Sequence, residues 1–195
     1  LLQMLKRAKP FSTTDDLNPT LFGVKLYTLD GHLWAEASDR YVACGVKGPK
    51  VKGDFNATIN LRDLTRVLYL LRWYTPAMVE LSTMPRRNEA GDIINGLSAT
   101  TITFSSPYND LGDLNVELMT RDDFPSLRML AGIKKGAAQP LASGSPYMTR
   151  GLGLLAGLSP NGFFAPQGDK KGIFIGEDCW ALIMPMPAIH SWIGW

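Results

Sequence analysis

The sequence predicts an α+β fold built from repeated units, each a helix followed by short antiparallel strands, and three observations carry that prediction. Apolar residues recur at three- and four-residue spacing in LLQMLKRAK (1–9) and LRDLTRVLYLLRWY (61–74). Between them lie short runs rich in aromatic and β-branched residues, parted by turn dipeptides such as Asp30-Gly31. With 195 residues, 45% of them hydrophobic, the chain can bury one large core or one and a half smaller ones.

In the first helix Leu1, Leu2, Met4 and Leu5 fall toward one side, Lys6, Arg7 and Lys9 lie near the other end, and Pro10 stops it. TLFGVKLYTLD, HLWAEAS and YVACGVK then predict a small antiparallel meander. FNATIN predicts a further strand, and Asn60 followed three residues later by Asp63 predicts a cap on the next helix. There Leu61, Leu64, Leu68 and Leu71 form the expected buried stripe, while Arg62, Arg66 and Tyr69 share another face. AMVELSTMP, LSATTITFSS and LNVELMT predict three more strands, with the polar stretch RRNEAGDIING as a hairpin tip.

FPSLRMLAGIKKGAAQPLASGSP reads as a linker, which puts a domain boundary near residues 131–143. Beyond it, Ser145 and Pro146 open a helix through YMTRGLGLLAGL, although Gly151, Gly153 and Gly157 weaken it. GIFIGED and CWALIMPM supply two final strands, and AIHSWIGW forms an apolar tail. The element order repeats even though the residues do not visibly do so.

A formal net charge of +2 is far below that of a protein that coats nucleic acid, so any DNA contact is expected to be local. No apolar run approaches the roughly 20 residues needed to cross a bilayer, and LLQMLKRAKPF lacks the order of a secretion signal. Cys44 and Cys179 are too few for a disulfide framework and lack metal-ligand spacing, which fits a reducing, cytoplasmic location. Each reads as a small buried hydrophobe rather than an activated thiol.

An enzyme would have to draw on His32 or His190. Asp30, His32 and Ser38 are the one set that a fold could assemble, without a nucleophile-elbow motif beside it. GDKKG and GPKVKG lack the order of a phosphate loop. The pairs Asp15-Asp16 and Asp122-Asp123 suit turns or helix caps better than a metal shell. Neither catalysis nor a cofactor is expected.

Three segments carry the positive information: EASDRYVACGV (36–46), DDFPSLRML (122–130) and EDCWALIMPM (177–186). Together and in this order they resemble the bacterial β sliding clamp family, the processivity subunit of replicative DNA polymerase. The family has an A-T-D-x-x-R-L-A-like strand-turn, an F-P-like exit from its middle domain and a C-terminal M-P-M. The resemblance implies a DNA-clamp fold, with residues 1–134 as a full clamp domain like the middle one and 135–187 as the last half of a third. Residues 188–195 form a tail beyond the family-like ending.

In the family these segments converge on a hydrophobic groove that takes a short linear peptide. Carried over, the groove comprises Leu21, Ser38, Arg40, Tyr41, Val42 and Ala43, Pro125 and Leu130 from the domain exit, and Leu182, Met184, Pro185 and Met186 from the end. The residue types alone also fit a plain core strand at IMPM; exposed Met and Pro, in contrast, make an adaptable apolar surface. Val42-Ala43 stands where the family commonly has Arg-Leu, which alters the groove's polar edge and depth. The resemblance further implies that Lys6, Arg7, Lys9, Arg62, Arg66 and Arg150 face the backbone of double-stranded DNA without reading its sequence.

The implied partners are DNA, a DNA polymerase and other proteins bearing clamp-binding motifs, and a clamp loader. A ring of helix-plus-strands units would close as a homo-oligomer of about four copies. The rival reading is a clamp-like peptide-binding adaptor or decoy that never encircles DNA.

Overall fold

The computed structural model describes residues 1–15, 20–73, 78–105, 113–121, 124–128, 149–167 and 171–184. Helix α1 (Leu2–Ala8) buries Met4, Leu5 and Ala8 and tightens into a 3-10 turn at Lys9–Phe11, with Pro10 near its start. Strands β1 (Gly23–Leu29), β2 (His32–Ser38) and β3 (Val42–Lys50) follow as the expected meander. Between β1 and β2, Asp30 and Gly31 both have positive φ, at 52° and 70°. Two such residues make the hairpin turn whose twist matches that of the strands.

β4 (Asn56–Asn60) returns antiparallel to β1 and leads directly into α2 (Leu61–Trp73). The cap is reciprocal: Asp63 N–H donates to Asn60 Oδ1 at 2.9 Å, and Asn60 Nδ2 donates to the Asp63 carboxylate at 2.6 Å. Leu64, Val67 and Leu71 are the buried stripe, with Leu61 and Leu68 half-buried at its flanks. The stripe is thus turned slightly toward Val67, which the leucine spacing alone did not reveal.

β5 (Met78–Arg87), β6 (Ile93–Ser105) and β7 (Leu114–Arg121) make the next antiparallel set. The expected hairpin tip is shorter than the polar stretch, because the strands run on to Arg87 and from Ile93. Asn88 closes the turn, its N–H donating to Asp92 O at 2.8 Å while its side-chain Oδ1 accepts the Asp92 N–H at 2.8 Å.

The last unit is α3 (Thr149–Leu158), β8 (Phe163–Gln167), β9 (Lys171–Ile175) and β10 (Cys179–Ile183). β8 is the strand that the sequence reading lacked. It contains Pro166, and it sits at one end of the sheet, the place where a residue without an N–H donor is tolerated. With β8 included, the helix-plus-three-strands unit occurs three times among the described residues.

All the strands join one ten-stranded sheet in the order β5-β6-β7-β4-β1-β2-β3-β10-β9-β8. The first two units meet the third where β3 pairs with β10, Ala43 opposite Leu182 and Gly45 opposite Trp180. Strand alternation then sorts the side chains. Leu33, Ala35, Ala37, Val42, Cys44, Val46, Cys179, Ala181 and Ile183 belong to the main core with the buried residues of α1, α2 and α3. Gly151 lets α3 approach this seam: a Cβ there would lie 3.0 Å from Val42 Cγ1 and 3.3 Å from Ile183 Cδ1.

Arg7 fastens the seam from the helix side. Its Nη1 and Nη2 donate to the two Asp178 carboxylate oxygens at 2.6 and 2.8 Å, and its Nε donates to Leu158 O at 2.8 Å. The guanidinium bonds hold the Asp178 carboxyl below its ordinary range and push the Arg7 value up. A carboxylate whose pKa is depressed on folding adds stability above its unfolded pKa and loses it as pH falls through the folded value. Asp178 is 47% exposed, so the pair is worth about 1 kcal/mol at most. Arg7→Ala should lower stability by about that amount at neutral pH and much less at pH 2–3; urea titrations across pH check it, and an equal loss at both ends would refute the ion pair.

Candidate functional site

The opposite face of the seam carries a second apolar cluster. Ala43 from β3, Ile173 from β9, Trp180 and Leu182 from β10, and Phe124 and Leu127 from the segment after β7 are buried together, with Leu21 and Trp34 packed against them. These residues come from the three segments that the sequence singled out, plus β2, β9 and the residues just before β1. By alternation Val42 points the other way, into the main core, so it underlies the second cluster without joining it.

The turn 38–42 is a small hydrogen-bonded device. Ser38 Oγ donates to Val42 O at 3.0 Å and accepts the Arg40 N–H at 3.1 Å. Asp39 Oδ1 accepts the N–H groups of Tyr41 and Val42 at 3.0 and 2.9 Å. Arg40 is held at φ 82°, and Tyr41 stands at the rim, 53% exposed. The Met184 N–H donates to Tyr41 O at 2.7 Å, which brings the end of β10 onto the same turn and leaves the Met184 side chain 47% exposed.

The segment 124–128 is tied down by polar contacts. Arg128 stacks its guanidinium 5.1 Å above the Trp34 ring, and Lys25 Nζ lies 3.4 Å from Phe124 O. Glu36, fully buried, accepts from Tyr27 Oη at 2.8 Å and from the backbone of Leu127. Burial pushes both the Glu36 carboxyl and the Tyr27 phenol up. Together these bonds seat Leu127 in the apolar cluster.

Of the expected groove residues, Leu21, Ala43 and Leu182 therefore share one cluster, Arg40, Tyr41 and Met184 border it, and Ser38 shapes its turn. Pro125 is exposed on the segment that supplies Phe124 and Leu127. Leu130, Pro185, Met186 and the tail 188–195 lie outside the described residues. Trp34, Phe124, Leu127, Ile173 and Trp180 were missed. Strand parity was the available signal, since Trp180 must share a face with Leu182, and Trp34 shares one with Ser38.

The basic residues separate into two groups. Lys6, Arg62 and Arg66 are exposed on α1 and α2, and Lys9 Nζ donates to Thr65 Oγ1 at 3.0 Å, linking the two helices. Arg7 is engaged with Asp178 instead. The side chain of Arg150 lies outside the described residues.

Among the described residues the candidate catalytic set does not come together. His32 and Ser38 are the first and last residues of β2, about 20 Å apart at the usual rise of a strand, and His32 Nδ1 is 3.0 Å from Asp30 O. Cys44 and Cys179 are buried, unbridged thiols whose pKa values are pushed up by burial, which keeps them protonated and unreactive. Among the described residues there is no cluster of metal-ligating side chains and no helix long and apolar enough to cross a membrane.

No family model and no curated protein matches the sequence. Solved structures do match the fold. The Helicobacter pylori β clamp bound to a DNA ligase peptide superposes with a TM-score of 0.59 at 10% identity, over 95% of this chain and 64% of that one. A DNA polymerase III β sliding clamp from Bartonella birtlesii gives 0.58 at 11% identity, over 95% and 62%. The DNA polymerase III β subunit of Thermotoga maritima gives 0.51 at 7%, over 96% and 62%. The chain thus spans less than two thirds of the length of these clamps. At such identities the likeness is one of fold, and the fold is that of the bacterial DNA polymerase III β sliding clamps.

Proposed function

We propose that the protein is a clamp-like, non-catalytic tether that presents a peptide-binding groove to replication or repair proteins. The observation that carries this reading is the convergence of β3, β10 and residues 124–128 on one apolar cluster bordered by exposed Tyr41 and Met184. An extended peptide with a few large apolar side chains suits such a surface, because the flexible, exposed Met184 side chain adapts to its shape. The Helicobacter pylori neighbour is bound to a DNA ligase peptide, which supports the same kind of occupant here. A DNA polymerase is the first partner to test, with a clamp loader as a further one.

On the opposite face, Lys6, Lys9, Arg62 and Arg66 are suited to double-stranded DNA through charge alone. Residues 1–134 would act as one full clamp domain and 135–187 as part of a second, so encirclement calls for several copies in a cytoplasmic ring. Retention on nicked circular DNA, and release when that DNA is cut, separates a ring from an adaptor.

The groove itself is tested by fluorescence polarisation with a labelled peptide carrying two adjacent leucines or phenylalanines. Met184→Glu changes an exposed side chain and should leave the fold intact while weakening the peptide about tenfold or more. Absence of binding by the unmodified chain, or binding insensitive to Met184→Glu and Leu21→Asp together, would sink the groove.

A further inference from the structure

Helix α2 carries a second pattern besides its buried stripe. Arg62, Arg66, Tyr69 and Trp73 are spaced by four, three and four residues, which places them in one line along the helix, directly opposite Leu64, Val67 and Leu71. All four are exposed, Tyr69 at 61% and Trp73 at 69%. The two rings are in contact, with centroids 5.8 Å apart and planes tilted by 43°. Lys9 reaches the same helix through Thr65.

Two large aromatic side chains in water are a liability for a soluble surface unless something covers them. Their neighbours on the line are arginines, so the covering partner must combine negative charge with flat apolar faces. Nucleic acid with unpaired bases has both. In a duplex each base is already stacked on its neighbours and offers no face to a protein ring, whereas an unpaired base does. Arginines that hold phosphates beside aromatic rings that stack bases are the usual means of binding single strands.

We infer that the exposed line of α2 binds single-stranded nucleic acid, with Tyr69 and Trp73 stacking on bases and Arg66 holding the adjoining backbone. The inference rests on the proposal that this helix face meets DNA, and it adds a preference for unpaired over paired strands. A tether with this face would bind at the junction where duplex gives way to single strand.

The test is fluorescence anisotropy of the full chain at low salt with three labelled probes: oligo(dT) of about 16 nucleotides, an abasic strand of equal length, and a duplex. Stacking should make oligo(dT) bind roughly five- to a hundredfold tighter than the abasic strand. Trp73→Ala and Tyr69→Ala should each remove much of that difference, Trp73→Phe should keep most of it, and Arg66→Ala should weaken all three probes. Because these side chains are exposed, unchanged circular dichroism is expected for each variant.

Equal binding of oligo(dT) and the abasic strand, or discrimination that survives Trp73→Ala, overturns the inference. Oligo(dT) binding that depends on Trp73, without duplex binding, keeps the inference and removes the duplex-facing part of the proposed function. Duplex binding that depends on Arg66, without discrimination between the single strands, does the reverse.

Discussion

Replacing Gly45 with valine is expected to lower the unfolding free energy by about 3 kcal/mol or more and to abolish the proposed peptide binding. Gly45 lies opposite Trp180 in the β3–β10 register. A Cβ at this position would sit 2.2 Å from the indole Nε1 and 2.4 Å from Cε2. Trp180 is 4% exposed, and its ring is enclosed by the cluster that includes Ala43, Ile173 and Leu182, so it can yield only by leaving that cluster. The glycine serves close approach rather than turning, since its φ is not in the left-handed region. Urea unfolding and peptide titration of Gly45→Ala and Gly45→Val check the point. A wild-type midpoint for Gly45→Val would mean that the indole does not lie across this glycine.

Phe11→Ala should cost about 3–5 kcal/mol. Phe11 is 1% exposed, belongs to the main core, and rides on the 3-10 turn that packs α1 against β2 and β3. Truncation leaves a cavity beneath the very strands whose outer face carries the second apolar cluster. Stability should fall steeply while the proposed peptide binding of the fraction that remains folded changes little, because the candidate groove residues lie on the other side of the sheet. Denaturant unfolding gives the first quantity and peptide titration well below the midpoint gives the second. A loss under 1 kcal/mol would contradict the burial of this ring.

Local chemistry made much of this molecule legible. The Asn60/Asp63 cap, the Asp30-Gly31 turn and the leucine spacing of α2 each depend on residues within a few positions of one another, and each is found in the structure. Contacts between distant segments were less accessible. Arg7 and Asp178 are 171 residues apart, and the packing of α1 on the β3–β10 seam and on α3 brings them together. Residues 163–167 offered no strand pattern that the sequence reading used, and their place at the end of the sheet comes only from the pairing with β9. At the candidate site the segments were recognised as a set, but which of their residues cluster depends on strand parity, and parity assigns Val42 to the main core and Trp180 to the second cluster.

The pairing of β3 with β10 also sets an order in time. On a ribosome, β3 emerges long before β10, and closing so large a loop has an entropic cost that local hairpins avoid. Until then the Val42–Val46 edge stands open, a strand with unmet hydrogen bonds and apolar neighbours that invites wrong pairing. The second apolar cluster is incomplete during that interval, because Ile173, Trp180 and Leu182 are still to come. Recruitment through the proposed groove would therefore report that synthesis has passed Ile183.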